Sequence, residues 1–253
     1  MIFILLHNTT MKFNIPDNDF VQPEFDYNSN VKLEKIVIIV STPRSGSTWL
    51  SDILYRSGIC LPHEYFQPFQ YMPFLFNVWN CNDKNKIEED YVNNLIKHRT
   101  SSVGVLGINL HGSHLPLFMK YWPYFPSVDT VFIHLTRRDK IKQAVSYYHA
   151  SVSGEWSEHY AKNNDSIAFN FKLIKNRLNK IQHWEAVSLA FFYKYKINFD
   201  SIVYEDLVVD PVLYLKKYGV SDFQSKLNRQ SDIKKEELYE KFIDMFWGNN
   251  SLK

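Results

Sequence analysis

The sequence predicts an α/β fold in which a largely parallel central sheet is flanked by helices. Two observations carry this. Apolar runs of strand length at 36–40, 103–110, 128–136 and 201–204 alternate with stretches of helical periodicity, an order typical of strands joined by helical crossovers. The first run, IVIIV, is β-branched throughout, as expected of a strand buried on both faces, since a one-sided strand would alternate with polar residues. A chain of 253 residues with 45% hydrophobic and 16% aromatic content is long enough for one large core.

The elements follow in order. MIFILLHNTT opens with six apolar residues but lacks a basic n-region, and the run is shorter than the apolar core of a signal peptide. No segment has the apolar length of a membrane span, so the chain reads as cytoplasmic. Residues 7–34 are polar and carry Pro16 and Pro23. The division expected is an irregular N-terminal arm over 1–34 and one domain over 35–253.

The strand at 36–40 stops at Pro43-Arg44-Ser45-Gly46-Ser47-Thr48. Pro43 cannot donate to a ladder, Gly46 permits tight backbone geometry, and small hydroxyl residues suit a helix start. From Thr48, residues Trp49, Leu50, Ile53 and Leu54 recur at helical spacing, with Gly58 placed to end the helix. A strand, a short loop and a helix aim free amides and the positive end of a helix dipole at one point, which suits an anion. The pattern G-x-x-x-x-G-K-[ST] is absent, so the lysine of a nucleotide triphosphatase has no counterpart. Arg44 stands there instead, and a guanidinium can clamp phosphate or sulfate in bidentate fashion.

Residues 59–61 suggest a short strand leading to Pro62-His63-Glu64-Tyr65-Phe66. Glu64 is a candidate general base, and His63 is its rival because imidazole titrates near neutrality. The aromatic stretch 65–79, with two prolines, holds no single period and reads as a loop or broken helix. It serves either the core or the wall of an acceptor pocket, where Tyr65 and Phe66 are candidates. A short amphipathic helix is expected over 87–99.

The strand at 103–110 ends in His111-Gly112-Ser113-His114. No further metal ligand is apparent near these histidines and H-E-x-x-H is missing, so no metal is expected; His111 is a candidate acceptor contact. The strand at 128–136 runs into Arg137-Arg138-Asp139, at the edge where open α/β sheets bind ligands, and then into a helix through Ala150 carrying Ser146. Trp156 follows as a candidate border of the acceptor site. A long helix is expected over 167–196, a strand over 201–204, a helix from Pro211 to Gly219, and a last amphipathic helix over 234–246, preceded by a loop that carries Arg229.

Composition limits the partners. Twenty-nine basic against 27 acidic residues leave a net charge of +2, which argues against a general nucleic-acid binder, so any anion site is local. Cys60 and Cys81 are the two cysteines, too few for a disulfide framework.

PRSGSTWL at 43–50 resembles the 5′-phosphosulfate loop of the PAPS-dependent sulfotransferases, especially the bacterial trehalose 2-sulfotransferase family. LPHEYFQP at 61–68, IHLTRRDKIKQAVSYYHASVSGEW at 133–156 and LNRQSD at 227–232 resemble the same family in the same order. The resemblance implies a P-loop-like three-layer sandwich, the sulfotransferase fold, and transfer of a sulfuryl group from PAPS to a hydroxyl of a sugar or small polar metabolite. It places the catalytic glutamate at Glu64, the donor cradle at Arg44, Ser45, Gly46, Ser47 and Thr48, and the 3′-phosphate contacts at Arg137 or Arg138 with Ser146. It makes Arg229 a third phosphate contact and implies a homodimer by analogy. Asn109 stands where the family commonly has a lysine, so that residue's contribution is not implied. A kinase would need the missing lysine and Mg²⁺; a non-catalytic nucleotide-binding protein on the same scaffold is the other alternative.

Overall fold

A computed structural model describes residues 13–27, 30–83, 85–157, 160, 167–222 and 233–248. Four strands, β1 (Lys35–Ser41), β2 (Val105–His111), β3 (Asp129–Thr136) and β4 (Phe199–Val203), form a sheet in the order β2-β1-β3-β4, and every pairing is parallel. The helices are α1 (Ser47–Arg56), α2 (Tyr71–Val78), α3 (Ile87–Arg99), α4 (Leu115–Tyr121), α5 (Lys140–Ser153), α6 (Phe171–Tyr195), α7 (Tyr204–Val209), α8 (Pro211–Leu215) and α9 (Ile233–Trp247). None of the described helices is long and apolar enough to cross a membrane.

The β-branched run of β1 is buried on both faces because its side chains alternate between two cores. Ile36, Ile38 and Val40 join Leu106, Ile108 and Leu110 in an aromatic-rich core beneath α2, α3 and α4. Val37 and Ile39 face Leu50, Ile53 and Leu54 of α1, together with Leu207 and Leu215. Sheet and flanking helices make the three layers. A third cluster, Ala144, Val145, Ile174, Leu178 and Phe242, locks α5, α6 and α9 together. Each aliphatic side chain buried in this way contributes about 1.5–3 kcal/mol relative to exposure.

Several boundaries differ from expectation for local reasons. Residues 59–61 do not form a strand; pairing is limited to one bridge between His63 and Ile108, since Pro62 has no N–H to extend a ladder. β2 begins at Val105, after a turn in which Gly104 has φ +77°. The aromatic stretch contains a regular helix, α2, with Pro73 in its first turn, where a missing N–H is harmless. α1 ends as expected: Gly58 has φ +71°, its N–H bonds the Tyr55 carbonyl, and the Ile59 N–H bonds that of Leu54, a Schellman closure.

The described part of the N-terminal arm is irregular apart from one short turn, Pro23–Phe25, yet it is fastened to the domain. Arg99, at the end of α3, is fully buried and donates to the carbonyls of Phe20 (2.9 Å), Val21 (2.8 Å) and Gln22 (3.1 Å). It also pairs with Asp26 at 2.9 Å.

Candidate active site

Parallel pairing brings the carboxyl ends of all four strands to one edge, with Ser41 of β1 in register with His111 of β2. The segment after β1 forms the centre of that edge. Ser45 N–H donates to the Thr42 carbonyl at 3.2 Å, and the backbone then turns left-handed at Arg44 (φ +66°) and Gly46 (φ +93°) before α1 starts. The φ of Gly46 and its packing both call for glycine: a Cβ there would lie 2.2 Å from Tyr204 Cδ2. Gln143 of α5, fully buried, clamps the turn by donating to Thr42 Oγ1 (2.9 Å) and the Pro43 carbonyl (2.8 Å). Ser47 is buried and Thr48 exposed. The Ser45 hydroxyl is buried with no hydrogen-bond partner among the described residues, which suits a ligand oxygen beside the free amides of α1.

Two guanidinium groups flank this turn. Arg44 donates from Nε to Ser146 Oγ at 3.1 Å and from Nη1 to the Trp156 carbonyl. Burial, then the neighbouring Arg137, lowers its pKa to about 10, which leaves it charged near neutrality. Arg137 donates from Nη1 to the Arg44 carbonyl at 3.5 Å and lies over the Tyr204 ring, 5.5 Å from its centroid. Arg138 turns away, exposed, and its Nη2 donates to both carboxylate oxygens of Asp206, each at 2.7 Å. Glu205 fixes the corner by accepting from the backbone N–H groups of Arg138 (2.8 Å) and Asp139 (3.2 Å); these bonds, opposing its burial, hold its pKa below the usual value. Ser146, expected beside one of these two arginines, bonds Arg44 instead.

On the β2 side, residues 60–63 lie flat against the strand because Gly107 has no side chain: a Cβ would stand 2.7 Å from Pro62 N and 2.9 Å from Cys60 Sγ. The His63 carbonyl accepts from Asn109 N–H at 2.9 Å, which fixes where Glu64 emerges. Asn109 itself is buried and its Oδ1 accepts from Ser41 Oγ at 3.5 Å. Glu64 Oε2 lies 3.4 Å from His111 Nδ1. Burial raises the Glu64 pKa against the opposing influence of His114 and His63, and burial lowers His111 and His114 to about 4 each. The result is a carboxylate prone to take a proton beside two neutral rings.

One expectation is corrected here. Glu64, His111 and His114 present ligand atoms within 4.8 Å of one another, so the histidines do have a third potential ligand in space, one that lies far away in sequence. His114 Nδ1 already accepts from His111 N–H at 3.2 Å, leaving its other nitrogen for any such role.

The remaining candidates fall elsewhere. Tyr65 and Phe66 are fully buried core residues: Tyr65 bonds the Leu61 carbonyl, and Phe66 packs against Tyr91, Phe118 and Tyr121. Neither presents a surface to a small molecule. Trp156 is exposed, its ring edge-on to Tyr147 at 6.0 Å, and Tyr147 in turn is electrostatically coupled to Glu64. Arg229 lies outside the described residues. Sequence reasoning missed Gln143 and Glu205. A signal existed for both, because Gln143 sits one helical turn before Ser146 and Glu205 lies two residues past the end of a strand at the binding edge.

A search of curated proteins gave no match. Among solved structures, the sulfotransferase domain from the Synechococcus PCC 7002 olefin synthase aligns with a TM-score of 0.43 and 15% identity, covering 86% of this chain and 98% of that one. The family profile described as Stf0 sulphotransferase matches residues 36–242, from β1 into α9. By that match the chain belongs to the Stf0 sulphotransferase family.

Proposed function

We propose that this sulfotransferase uses PAPS as donor and transfers its sulfuryl group to a hydroxyl of a sugar or small polar metabolite, with no metal. One observation supports the reading above others: the turn after β1 carries Arg44 and a buried hydroxyl without a partner among the described residues, with Arg137 beside it, while a carboxylate of raised pKa stands one strand away at the same edge.

In this reading the Gly46–Thr48 amides, the Ser45 hydroxyl and Arg44 hold the 5′-phosphosulfate, and Arg137 takes the 3′-phosphate. Arg138, committed to Asp206, serves the corner rather than the ligand. Glu64 removes the proton of the acceptor hydroxyl as its oxygen attacks sulfur. The bond from sulfur to the 5′-phosphate oxygen breaks, and adenosine 3′,5′-bisphosphate departs with the electron pair. Arg44 stabilises the charge that builds on the leaving oxygen. His111, His114 and Tyr147 around Glu64 supply donors and acceptors suited to a polyhydroxylated acceptor, and Trp156 offers a ring edge to it.

The test is to incubate the protein with labelled PAPS and an extract of its host cells, then search by mass for a sulfate-sized addition. Transfer of label to a hydroxyl compound, undiminished by a chelator, is expected. Binding of PAPS without turnover in any extract would favour a non-catalytic nucleotide-binding protein.

A further inference from the structure

The N-terminal arm lies ahead of the region matched by the family, which begins at residue 36, yet it carries a buried carboxylate to the Glu64 segment. Asp19 is 3% exposed. Its Oδ1 accepts from Val21 N–H at 3.0 Å and lies 3.1 Å from His63 Nε2, and its Oδ2 accepts from the Tyr71 hydroxyl at 3.2 Å. The Tyr71 ring stands edge-on to His63 with centroids 4.6 Å apart. The arm is anchored next to this position by Arg99, which holds the carbonyls of Phe20, Val21 and Gln22.

His63 and Glu64 are adjacent in sequence and electrostatically coupled, so the ring and the carboxylate are natural partners. The structure separates them: His63 Nε2 meets Asp19, and Glu64 meets His111. A carboxylate that accepts from Nε2 selects the tautomer carrying its proton there. His63 Nδ1 is buried and without a hydrogen-bond partner among the described residues.

We propose that Asp19 is a positioning residue for sulfuryl transfer: with Tyr71 it holds the His63 ring in the Nε2–H tautomer and away from Glu64, so that the Glu64 carboxylate stays available to the acceptor hydroxyl. This rests on Glu64 being the base. The arm thereby becomes part of the transferase site, and an arm residue acts on the reaction through His63.

Steady-state kinetics of single and double variants test this. Asp19→Ala should lower kcat about tenfold or more through misplacement of the reacting groups, with KM for PAPS unchanged. Asp19→Asn keeps an oxygen acceptor for Val21 and His63 and should restore most of kcat. In a His63→Gln background, Asp19→Ala should add no further loss. Wild-type kcat in folded Asp19→Ala, a loss additive to that of His63→Gln, or Ala and Asn variants equally impaired with parallel falls in melting temperature would each overturn the proposal.

The imidazole ¹⁵N spectrum of the unaltered chain tests the same contact without any variant. A His63 signal with the proton on Nε2 is expected; one with the proton on Nδ1 would overturn it. If the wild-type protein transfers sulfate to nothing, the general-base reading fails with it, whereas the ring spectrum still decides whether Asp19 sets the tautomer.

Discussion

Arg44 Nε donates to Ser146 Oγ at 3.1 Å, joining residues 102 positions apart in the chain. The bond ties the turn after β1 to the helix after β3. Gln143, one turn earlier on the same helix, grips the start of that turn. The first half of the turn, Thr42 to Arg44, is thus held from α5, which suits a site that must place a guanidinium before the charge on the leaving group develops.

Replacement of Arg44 by lysine should therefore cost more than a conserved charge suggests. Lysine keeps the charge but loses the planar fork that engages Ser146 and the Trp156 carbonyl together and that the proposed phosphosulfate contact needs. Turnover should fall about 10²-fold, the scale for removing one oriented donor from a developing charge, with little change in melting temperature. Turnover within a few-fold of wild type would show that charge alone suffices.

The two neighbouring arginines should separate cleanly. Arg137→Ala should abolish the extra thermal stabilisation that adenosine 3′,5′-bisphosphate gives over AMP, because selective binding to the native state is what raises the melting temperature. Arg138→Ala should leave that difference intact, since its side chain pairs with Asp206 in the exposed corner. The reverse pattern would exchange their roles.

The acid limb of the pH–rate profile should belong to Glu64. Its pKa is raised above the ordinary 4.5 by burial, and only the deprotonated form accepts a proton, so kcat/KM should rise with pH through a value above 4.5. Glu64→Gln should lower turnover about 10²-fold or more and remove this limb while nucleotide still binds. A limb that survives in Glu64→Gln would point to His63.

Much of this was legible in the sequence, for physical reasons that differ by residue. β1 and its turn are local features: β-branched composition, proline and glycine act within a few residues, so strand, turn and helix could be placed directly. The Glu64 segment could be found but not oriented, because its position depends on Gly107 passing beneath Pro62, a contact between separate segments. Tyr65 and Phe66 misled because an aromatic beside a candidate base looks the same whether it faces a ligand or the core. The partners of Arg44, Arg137 and Arg138 were hidden for the same reason: they are tertiary neighbours drawn from α5, the turn itself and α7. The Asp19–His63 contact joins residues 44 positions apart, and no motif announces it.

Gly46→Ala should be severe. It would force a side chain onto φ +93° and bring its Cβ within 2.2 Å of the Tyr204 ring, which also packs beneath Arg137. Loss of nucleotide binding is expected along with a fall in stability of more than about 1 kcal/mol, since strain and overpacking act together. Nucleotide titration and denaturant melts would measure both, and normal binding would show that Tyr204 yields freely.

Stability should fall on mild acidification, before the carboxylates titrate. His111, His114 and His134 are buried, and each is lowered from 6.5 to about 4. Between those values the unfolded chain takes up protons that the native chain refuses, so stability is present above pH 6.5 and is lost as pH falls towards 4. The slope for one such ring is on the order of 1.4 kcal/mol per pH unit. Glu64 works in the opposite direction, because its raised pKa lets the native state bind a proton more tightly as pH falls, so the net loss is smaller than three rings alone would give. Urea melts at several pH values from about 7 to 5 would record it, and a flat profile would contradict neutral burial of the rings. His134 allows the cause to be isolated. Its ring packs edge-on against Phe192 and Phe199, at 5.5 and 5.7 Å, away from the Glu64 cluster. His134→Phe keeps an aromatic ring in that pocket but cannot be protonated, so it should make the profile shallower by one ring's share while leaving sulfuryl transfer unchanged.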